Sequence, residues 1–401
     1  MNKGIEIARG KTKVLFEHPG QPDMLVVKQT DSISAGDGAR RDEIAGKGRL
    51  AAQTTARVFR LLNLCGLPTH YVNGGEDDDD NEMLVRRANM VPLEVVVRGV
   101  VAGSLARRNP DMQRGSLLVP RMVEFFQKDD ANHDPLIGPD QIVAQGIATA
   151  QEIGIMTELA RLTFEVLAHA WRKRDVLLVD LKVEFGRLVG GDGKGQLAIA
   201  DVIDNDSWRI WPQGREDRML DKQMYRNLES VDDAGLTQVK AAYEQVAELV
   251  GSFPTMRPGM IAIFAESPDQ MQDIDRIGQA LAQFGLPAIR HVASATRTPG
   301  FVLQLLQQHD ATFARLIYVT LSGPDGALRA MIEGSTTNPV LEGSVDATSA
   351  ALQCAKILCL EDTVLFGRTL LVQTNMRSAV LQADASLNPP QVAPPPNARL
   401  A

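Results

Sequence analysis

Between residues 251 and 259 the chain reads Gly-Ser-Phe-Pro-Thr-Met-Arg-Pro-Gly, and the sequence follows different rules on the two sides of that stretch. Prolines and glycines so closely spaced suit neither a helix interior nor a central strand. After the break, the apolar run 260–264 reads as a buried strand, and Met271, Ile274, Ile277, Leu281 and Phe284 then recur at helical spacing. Further strand runs at 288–293, 316–321 and 369–373 alternate with helical stretches, which predicts βαβ units on a parallel sheet. Before the break, β-rich runs at 5–17 and 24–29 meet at the turn-forming segment 18–23, and a second hairpin at 69–72 and 83–85 flanks an acidic tip. Helices are predicted over 42–65, 150–172 and 236–250. The first part is thus α+β with a β-rich beginning, and the second is α/β.

At 401 residues the chain is long enough for two domains, each with its own core. We divide it into a first domain over 1–252, a linker at 253–259, a second domain over 260–387 and a tail at 388–401. That tail has too few apolar groups to offset the entropy of ordering it and is expected to be disordered. No run approaches the ~20 apolar residues of a membrane span, and the N-terminal residues lack a signal or transit pattern, so a cytoplasmic address is expected. Cys65, Cys354 and Cys359 are odd in number and not in metal-site spacing, so they read as reduced thiols. The net charge of -8 argues against a nucleic-acid partner. The acidic tip at 76–80 lacks the spaced ligands of a calcium loop and reads as solvated.

Candidate chemistry concentrates in the first domain. In the run 178–186, strand alternation sends Asp180, Lys182 and Glu184 to one face. A neighbouring strand opens the series Asp201, Asp204 and Asp206, followed by Arg209. Carboxylates on adjacent strands can hold a hard cation beside phosphate oxygens, but spacing alone fits ion pairs on a sheet face equally well. Gly10, Lys11, Thr12 and Lys13 put two lysines on a hairpin where backbone can approach phosphate. Asp37, flanked by glycines before Arg40, sits in a segment that could close over a substrate or be an ordinary mobile loop. Arg98 interrupts an apolar β run, which requires an anionic partner: a structural carboxylate, or a phosphate that Gly103 and Ser104 would help to hold. His133 and Asp134 lie in a polar cluster, 128–135, after two phenylalanines, and His133 is a candidate base.

In this order, Gly-Lys-Thr-Lys (10–13), the segments 34–40, 90–105, 128–135, 178–186 and 200–212, and Asp-Lys-Gln-Met-Tyr-Arg (221–226) resemble the SAICAR synthetase family of purine biosynthesis over about residues 5–250. The resemblance implies an α+β domain with a β-rich ATP-binding lobe. Its implied reaction converts ATP, the carboxylated aminoimidazole ribonucleotide CAIR and L-aspartate to SAICAR, ADP and phosphate. By similarity Glu184 and Asp201 would hold Mg2+, and Lys11, Lys13 and Lys182 would lie near the nucleotide phosphates. Arg98, Ser104 and Arg209 would grip the ribonucleotide phosphate. Asp37, Asp134, Lys222 and Arg226 would line the region where the imidazole meets aspartate.

The pairing with a βαβ domain is similar to the bifunctional animal-type enzyme, whose second part is an aminoimidazole ribonucleotide (AIR) carboxylase with a three-layer parallel-sheet fold. Ser294-Ala295-Thr296 stands where that family has Ser-Ala-His, and Glu266 where a nucleotide-binding turn has glycine. A threonine hydroxyl cannot replace an imidazole as proton carrier near neutral pH, and a carboxylate repels phosphate. The expectation is a carboxylase fold without its activity, retained for homo-oligomerisation. A bifunctional enzyme, a nucleotide-binding scaffold without turnover and a small-molecule kinase are the other readings; dependence of ATP turnover on aspartate separates ligase from kinase.

Overall fold

The computed structural model describes residues 1–387 apart from 36–38, 78–79, 192, 229, 258 and 344–345. The tail at 388–401, expected to be disordered, lies outside the described residues. The chain divides into two units, the first being Met1–Arg257 with Leu360–Gly367, and the second 258–359 with 368 onward.

In the first unit, β1 (Glu6–Arg9), β2 (Lys13–Glu17) and β3 (Met24–Gln29) form an antiparallel meander, so the run 5–17 is itself two strands. A small hairpin, β4 (Ser32–Ala35) and β5 (Arg40–Glu43), follows. Helix α1 (Lys47–Cys65) starts later than the sequence predicts, because Asp42 and Glu43 are used in β5 and Gly46 turns the chain at φ 85°. It ends on Gly66 at φ 88°, a left-handed cap that glycine adopts without strain. The strands β6 (Tyr71–Asn73) and β7 (Glu82–Arg86) complete a five-stranded sheet in the order β1-β2-β3-β7-β6.

A second sheet carries the functional region. Its long strand β8 (Ala88–Val100) leads through the short helix α2 (Gly103–Arg108) to β9 (Leu117–Gln127), and β10 (Leu136–Ile137) pairs at its edge. Helices α3 (Pro139–Ala144) and α4 (Ala150–Arg172) precede β11 (Val176–Leu188), the central strand. Helix α4 begins with a reciprocal cap: Glu152 N–H donates to Thr149 Oγ1 at 3.2 Å, and Thr149 N–H to Glu152 Oε2 at 2.8 Å. Short strands β12 (Leu197–Ala200) and β13 (Trp208–Pro212) flank β11, and α5 (Gln223–Asn227) and α6 (Asp233–Val250) follow. Phe253, at the start of the expected linker, is buried and stands edge-on to Trp171 at 4.9 Å, which in turn meets Trp208 at 5.3 Å.

The second unit has four parallel strands, β14 (Met260–Ala265), β15 (Ala288–Val292), β16 (Leu316–Leu321) and β17 (Val340–Glu342), in the order β15-β14-β16-β17. Between them run α7 (Met271–Gln283), α8 (Pro299–Thr312) and α9 (Ala327–Glu333), followed by α10 (Ala347–Leu358). Ala262, Phe264 and Tyr318 pack with Val302, Leu305 and Leu306 of α8 and with Leu328 and Ile332 of α9. The strand expected at 369–373 is instead part of α11 (Thr363–Leu387). An apolar run of that length cannot be told from a buried helix segment by periodicity. The beginning of α11 belongs to the first unit, where Phe366 stacks on His169 at 4.1 Å and Thr363 Oγ1 lies 3.1 Å from His169 Nδ1.

In the second unit His291 Nε2 and His309 Nε2 lie 3.2 Å apart beside Phe264 and Tyr318, so a single proton serves both nitrogens. Burial lowers both imidazoles below the usual histidine range; the neighbouring ring adds to this at His291, and Asp310 opposes it at His309. Below the unfolded value of about 6.5, the unfolded chain therefore binds more protons than the folded one. Stability from the pair is complete above that pH and is lost as pH falls. Thermal melts between about pH 7.5 and 5.5 should show a smaller drop in midpoint for His309→Phe than for the parent chain.

Candidate active site

The site lies where β11 forks. Its first half pairs with β13, Asp180 opposite Arg209, and its second half with β12, Glu184 opposite Ala200. The chain crosses from β12 to β13 through 201–207, and Lys182 N–H donates to Ser207 O at 2.7 Å inside the fork. That crossing carries Asp201, Asp204 and Asp206 past the face that Asp180, Lys182 and Glu184 share. A cavity of about 460 Å3 opens there, lined among others by Arg98, Ser104, Asp180, Lys182, Arg209 and Arg226. Asp134 and His133 also border it.

Arg98 is 3% exposed, and its charge is met from two sides. Its Nε donates to Glu124, its Nη1 lies 3.3 Å from Asp180 Oδ2, and its Nη2 donates to Ser104 Oγ at 3.1 Å. Arg209 also donates to Asp180, and Arg108 to Glu124. The arginine in the apolar strand is thus held by carboxylates, while Ser104, Arg209 and Arg98 face one cavity. Gly103, at φ 53°, lets the first residue of α2 pass under Arg209; a Cβ there would stand 2.6 Å from the guanidinium.

The neighbouring charges alternate. Lys182 Nζ lies 2.7 Å from Glu94 Oε1 and 3.4 Å from Glu184 Oε1. Burial opposes its charge, but the two carboxylates prevail and hold the ammonium above the usual lysine range. Glu184 also accepts from Lys128 at 2.7 Å; burial would raise it, and the ammonium groups of Lys182, Lys128 and Lys13 overcome that and hold it down. Lys13 reaches from β2 to pair with Asp201, and burial, aided by Lys128 and Lys182 against Glu184, lowers it to about 8.

Asp201, His133 and Asp134 adopt left-handed backbone at φ 67°, 57° and 48°. For residues other than glycine this is strained by about 1 kcal/mol or more each; Asp175 and Gln213, at φ 56° and 55°, share it but do not line the cavity. Asp134 is held in place by accepting Asp129 N–H at 2.8 Å.

Of the residues that sequence singles out, Lys182, Arg98, Ser104, Arg209, Asp134 and Arg226 border the cavity, and Glu184, Asp201 and Lys13 meet beside it. Lys222 pairs with the cavity-lining Asp206 at 2.7 Å. Lys11 stands exposed in the β1–β2 turn and does not line the cavity. Asp37 lies outside the described residues. The base of its hairpin is described: Arg40 lies over the Tyr225 ring at 4.4 Å, and Tyr225 OH donates to Asp42 at 2.5 Å. Nothing in the sequence alone marks Glu94, Glu124, Lys128, Lys47 and Tyr243 as site residues. Lys128 opens the polar cluster 128–135, whereas the acids of β8 and β9 emerge only from knowing which strands pair.

The family profile described as SAICAR synthetase matches residues 6–245. A phosphoribosylaminoimidazole-succinocarboxamide synthase of Roseiflexus is 52% identical over 248 residues, 62% of this chain and 97% of that protein. The bifunctional phosphoribosylaminoimidazole carboxylase/phosphoribosylaminoimidazole succinocarboxamide synthetase of Drosophila melanogaster is 34% identical over 387 residues, 92% of this chain and 89% of that protein. A solved SAICAR synthetase in complex with ADP superimposes with a TM-score of 0.53 at 34% identity, covering 61% of this chain and 97% of that one.

Removing the guanidinium should expose how much of the site rests on it. Arg98→Met leaves Glu124 and Asp180 short of a buried partner and should destabilise the chain by about 3 kcal/mol in urea unfolding. Arg98→Lys should recover only part of this, because an ammonium cannot reach Glu124, Asp180 and Ser104 together.

Proposed function

The chain belongs to the SAICAR synthetase family of purine-biosynthesis ligases, and from that premise we propose that its first unit joins CAIR to L-aspartate with consumption of ATP. The observation that carries this reading is the cavity at the fork, where anion-binding arginines adjoin the Lys13, Lys182, Glu184 and Asp201 cluster. A solved relative bound to ADP supports ATP as the phosphoryl donor.

A carboxylate does not expel oxide when an amine attacks it. In the proposed sequence a CAIR carboxylate oxygen forms a bond to the γ-phosphorus, the bond between that phosphorus and the β–γ bridging oxygen breaks, and ADP departs. The amine of aspartate, its ammonium having lost one proton, then attacks the acyl carbon; the bond from that carbon to the phosphate oxygen breaks, phosphate leaves, and the nitrogen releases a second proton to water to leave an amide. Lys13 and Lys182, and Lys11 from its turn, offset phosphoryl charge, while Arg98, Ser104 and Arg209 hold the ribonucleotide phosphate. Asp37, Asp134, Lys222 and Arg226 orient the imidazole and the amino acid. Glu184 on β11 and Asp201, just past the end of the adjacent β12, present hard oxygen donors, a set that fits Mg2+ completed by phosphate oxygens. Such an ion would supply charge neutralisation on the transferring phosphoryl group.

For the second unit we propose a retained carboxylase-like fold without carboxylase activity. Ligands of open α/β sheets bind beyond the carboxyl ends of the strands. In this unit Glu266, just past β14, extends Oε2 to accept Gly323 N–H at 2.8 Å, just past β16. Its Oε1 lies 3.5 Å from Ser294 Oγ, just past β15. The protein's own carboxylate thus takes up donors that an anionic ligand would use, and Thr296 offers no imidazole. Exposed Met376, Val380 and Leu381 on α11 support a role in homo-oligomerisation instead.

Phosphate release should require ATP, CAIR and aspartate together; release that ignores aspartate would favour a kinase. Lys182→Met should lower kcat by about a hundredfold or more. In a labelled-bicarbonate assay with AIR, the purified chain should fix no carbon above background, and fixation at an ordinary enzymic rate would refute the reading of the second unit.

A further inference from the structure

Lys47 is the first residue of α1, and it is 1% exposed. Its position is doubly unfavourable: an ammonium is removed from water and set at the positive end of a helix dipole. No acidic residue stands in the first turn of α1 to offset it. The offset comes from far along the chain, from Asp204 and Asp206 in the crossing at the fork; Lys47 acts on both carboxylates and lies 5.3 Å over the ring of Tyr243 on α6. Tyr243 OH donates to Asp206 Oδ1 at 2.5 Å, and Lys222 Nζ lies 2.7 Å from Asp206 Oδ2. Asp204 Oδ1 accepts Asp206 N–H at 2.9 Å, which fixes the backbone of the same residue. Every oxygen of the Asp206 carboxylate is therefore engaged, and Asp206 itself borders the cavity. Burial would raise the Asp206 carboxyl, but Lys47 first and Lys222 next hold it well below the usual range, while burial beside Asp206 raises Asp204.

We propose that Lys47 and Tyr243, neither of which lines the cavity, are positioning residues that fix Asp206 as an ionised, oriented carboxylate and through it aim Lys222 at the amino-acid substrate. The inference rests on the ligase reading of the site. An ammonium held by one carboxylate, next to Arg226, suits a dicarboxylic amine: the cations meet its acids, and Asp206 faces its amine. Without Tyr243 OH the Asp206 carboxylate can rotate. Without Lys47 the buried acid pair lacks a positive charge, retains a proton, and holds Lys222 less firmly.

The test uses the full chain and steady-state phosphate release, with ATP, CAIR and aspartate varied separately and thermal midpoints measured alongside. Tyr243→Phe should raise KM for aspartate about tenfold, the loss expected for one hydrogen bond to a charged group, and leave KM for ATP within about a factor of two. Lys47→Met should lower kcat/KM for aspartate further and lower the midpoint as well, since the buried Asp204 and Asp206 are then left without that cation. Glu244→Gln, on the exposed side of α6, should change nothing. An unmoved KM for aspartate in Tyr243→Phe, or equal rises in all three KM values with a fallen midpoint, overturns the inference even if Lys47→Met does not fold. Parent turnover that ignores aspartate overturns the ligase reading and this inference together, and the parent assay alone tells the two failures apart.

Discussion

The first unit is organised around one difficult requirement: a central strand that carries three charges on a buried face. Asp180, Lys182 and Glu184 cannot be left unpaired inside a sheet, because each would carry a desolvation penalty of several kcal/mol. The sheet therefore brings partners from every side. Arg98 and Glu94 come from β8, Arg209 from β13, and Lys128 from just beyond β9. Asp201 and Lys13 extend the same alternation to the other sheet. Pairing of this kind does not by itself stabilise the fold strongly, since the Coulomb gain is largely consumed by desolvation. It fixes position, and the fork in β11 is what leaves room for a ligand beside the fixed charges.

That arrangement has a chemical corollary. On the proposed reading, a polyanionic substrate entering the cavity exchanges one set of oxygen acceptors for another, so the cations need little reorganisation to receive it. Arg98 illustrates the point: Glu124 and Asp180 hold the planar guanidinium in orientation, and Ser104 continues its donor array towards the cavity. The strained backbone at Asp201, His133 and Asp134 belongs to the same economy of preorganisation, in which the fold bears the distortion before the substrate arrives.

How much of this was legible in the sequence follows from the range of each interaction. The alternation that puts Asp180, Lys182 and Glu184 on one face is local, and could be read directly. The anionic partner demanded by Arg98 was also legible as a requirement, but its identity was not: Glu124 lies 26 residues away and meets Arg98 only because β8 pairs with β9. Lys47 was invisible for a similar reason, since a lysine at a helix start reads as a solvated surface residue unless one knows that Asp204 and Asp206 cover it. The boundary after residue 250 was marked by proline and glycine, yet Phe253 is packed in the core and 360–367 belongs to the first unit. The run 369–373 failed as a strand because its apolar pattern carries no period long enough to distinguish strand from helix.

The carboxylates at the two candidate sites are partnered differently, and the contrast underlies the proposal that only one unit is catalytic. In the first, Asp180 and Glu184 face Arg98, Arg209 and Lys182, cations that also border the cavity, so protein acceptors and substrate acceptors can share the same donors. In the second, Glu266 is bonded to Gly323 N–H, a backbone donor fixed at a strand end, while Arg297 Nη2 donates at 3.0 Å to the backbone oxygen of Glu266. A backbone amide has one hydrogen to give and cannot swing to a second acceptor. An incoming phosphate would have to displace a covalently tethered carboxylate whose effective concentration far exceeds that of any free ligand. On the proposed reading, that one side chain silences the strand-end site and leaves the sheet beneath it intact.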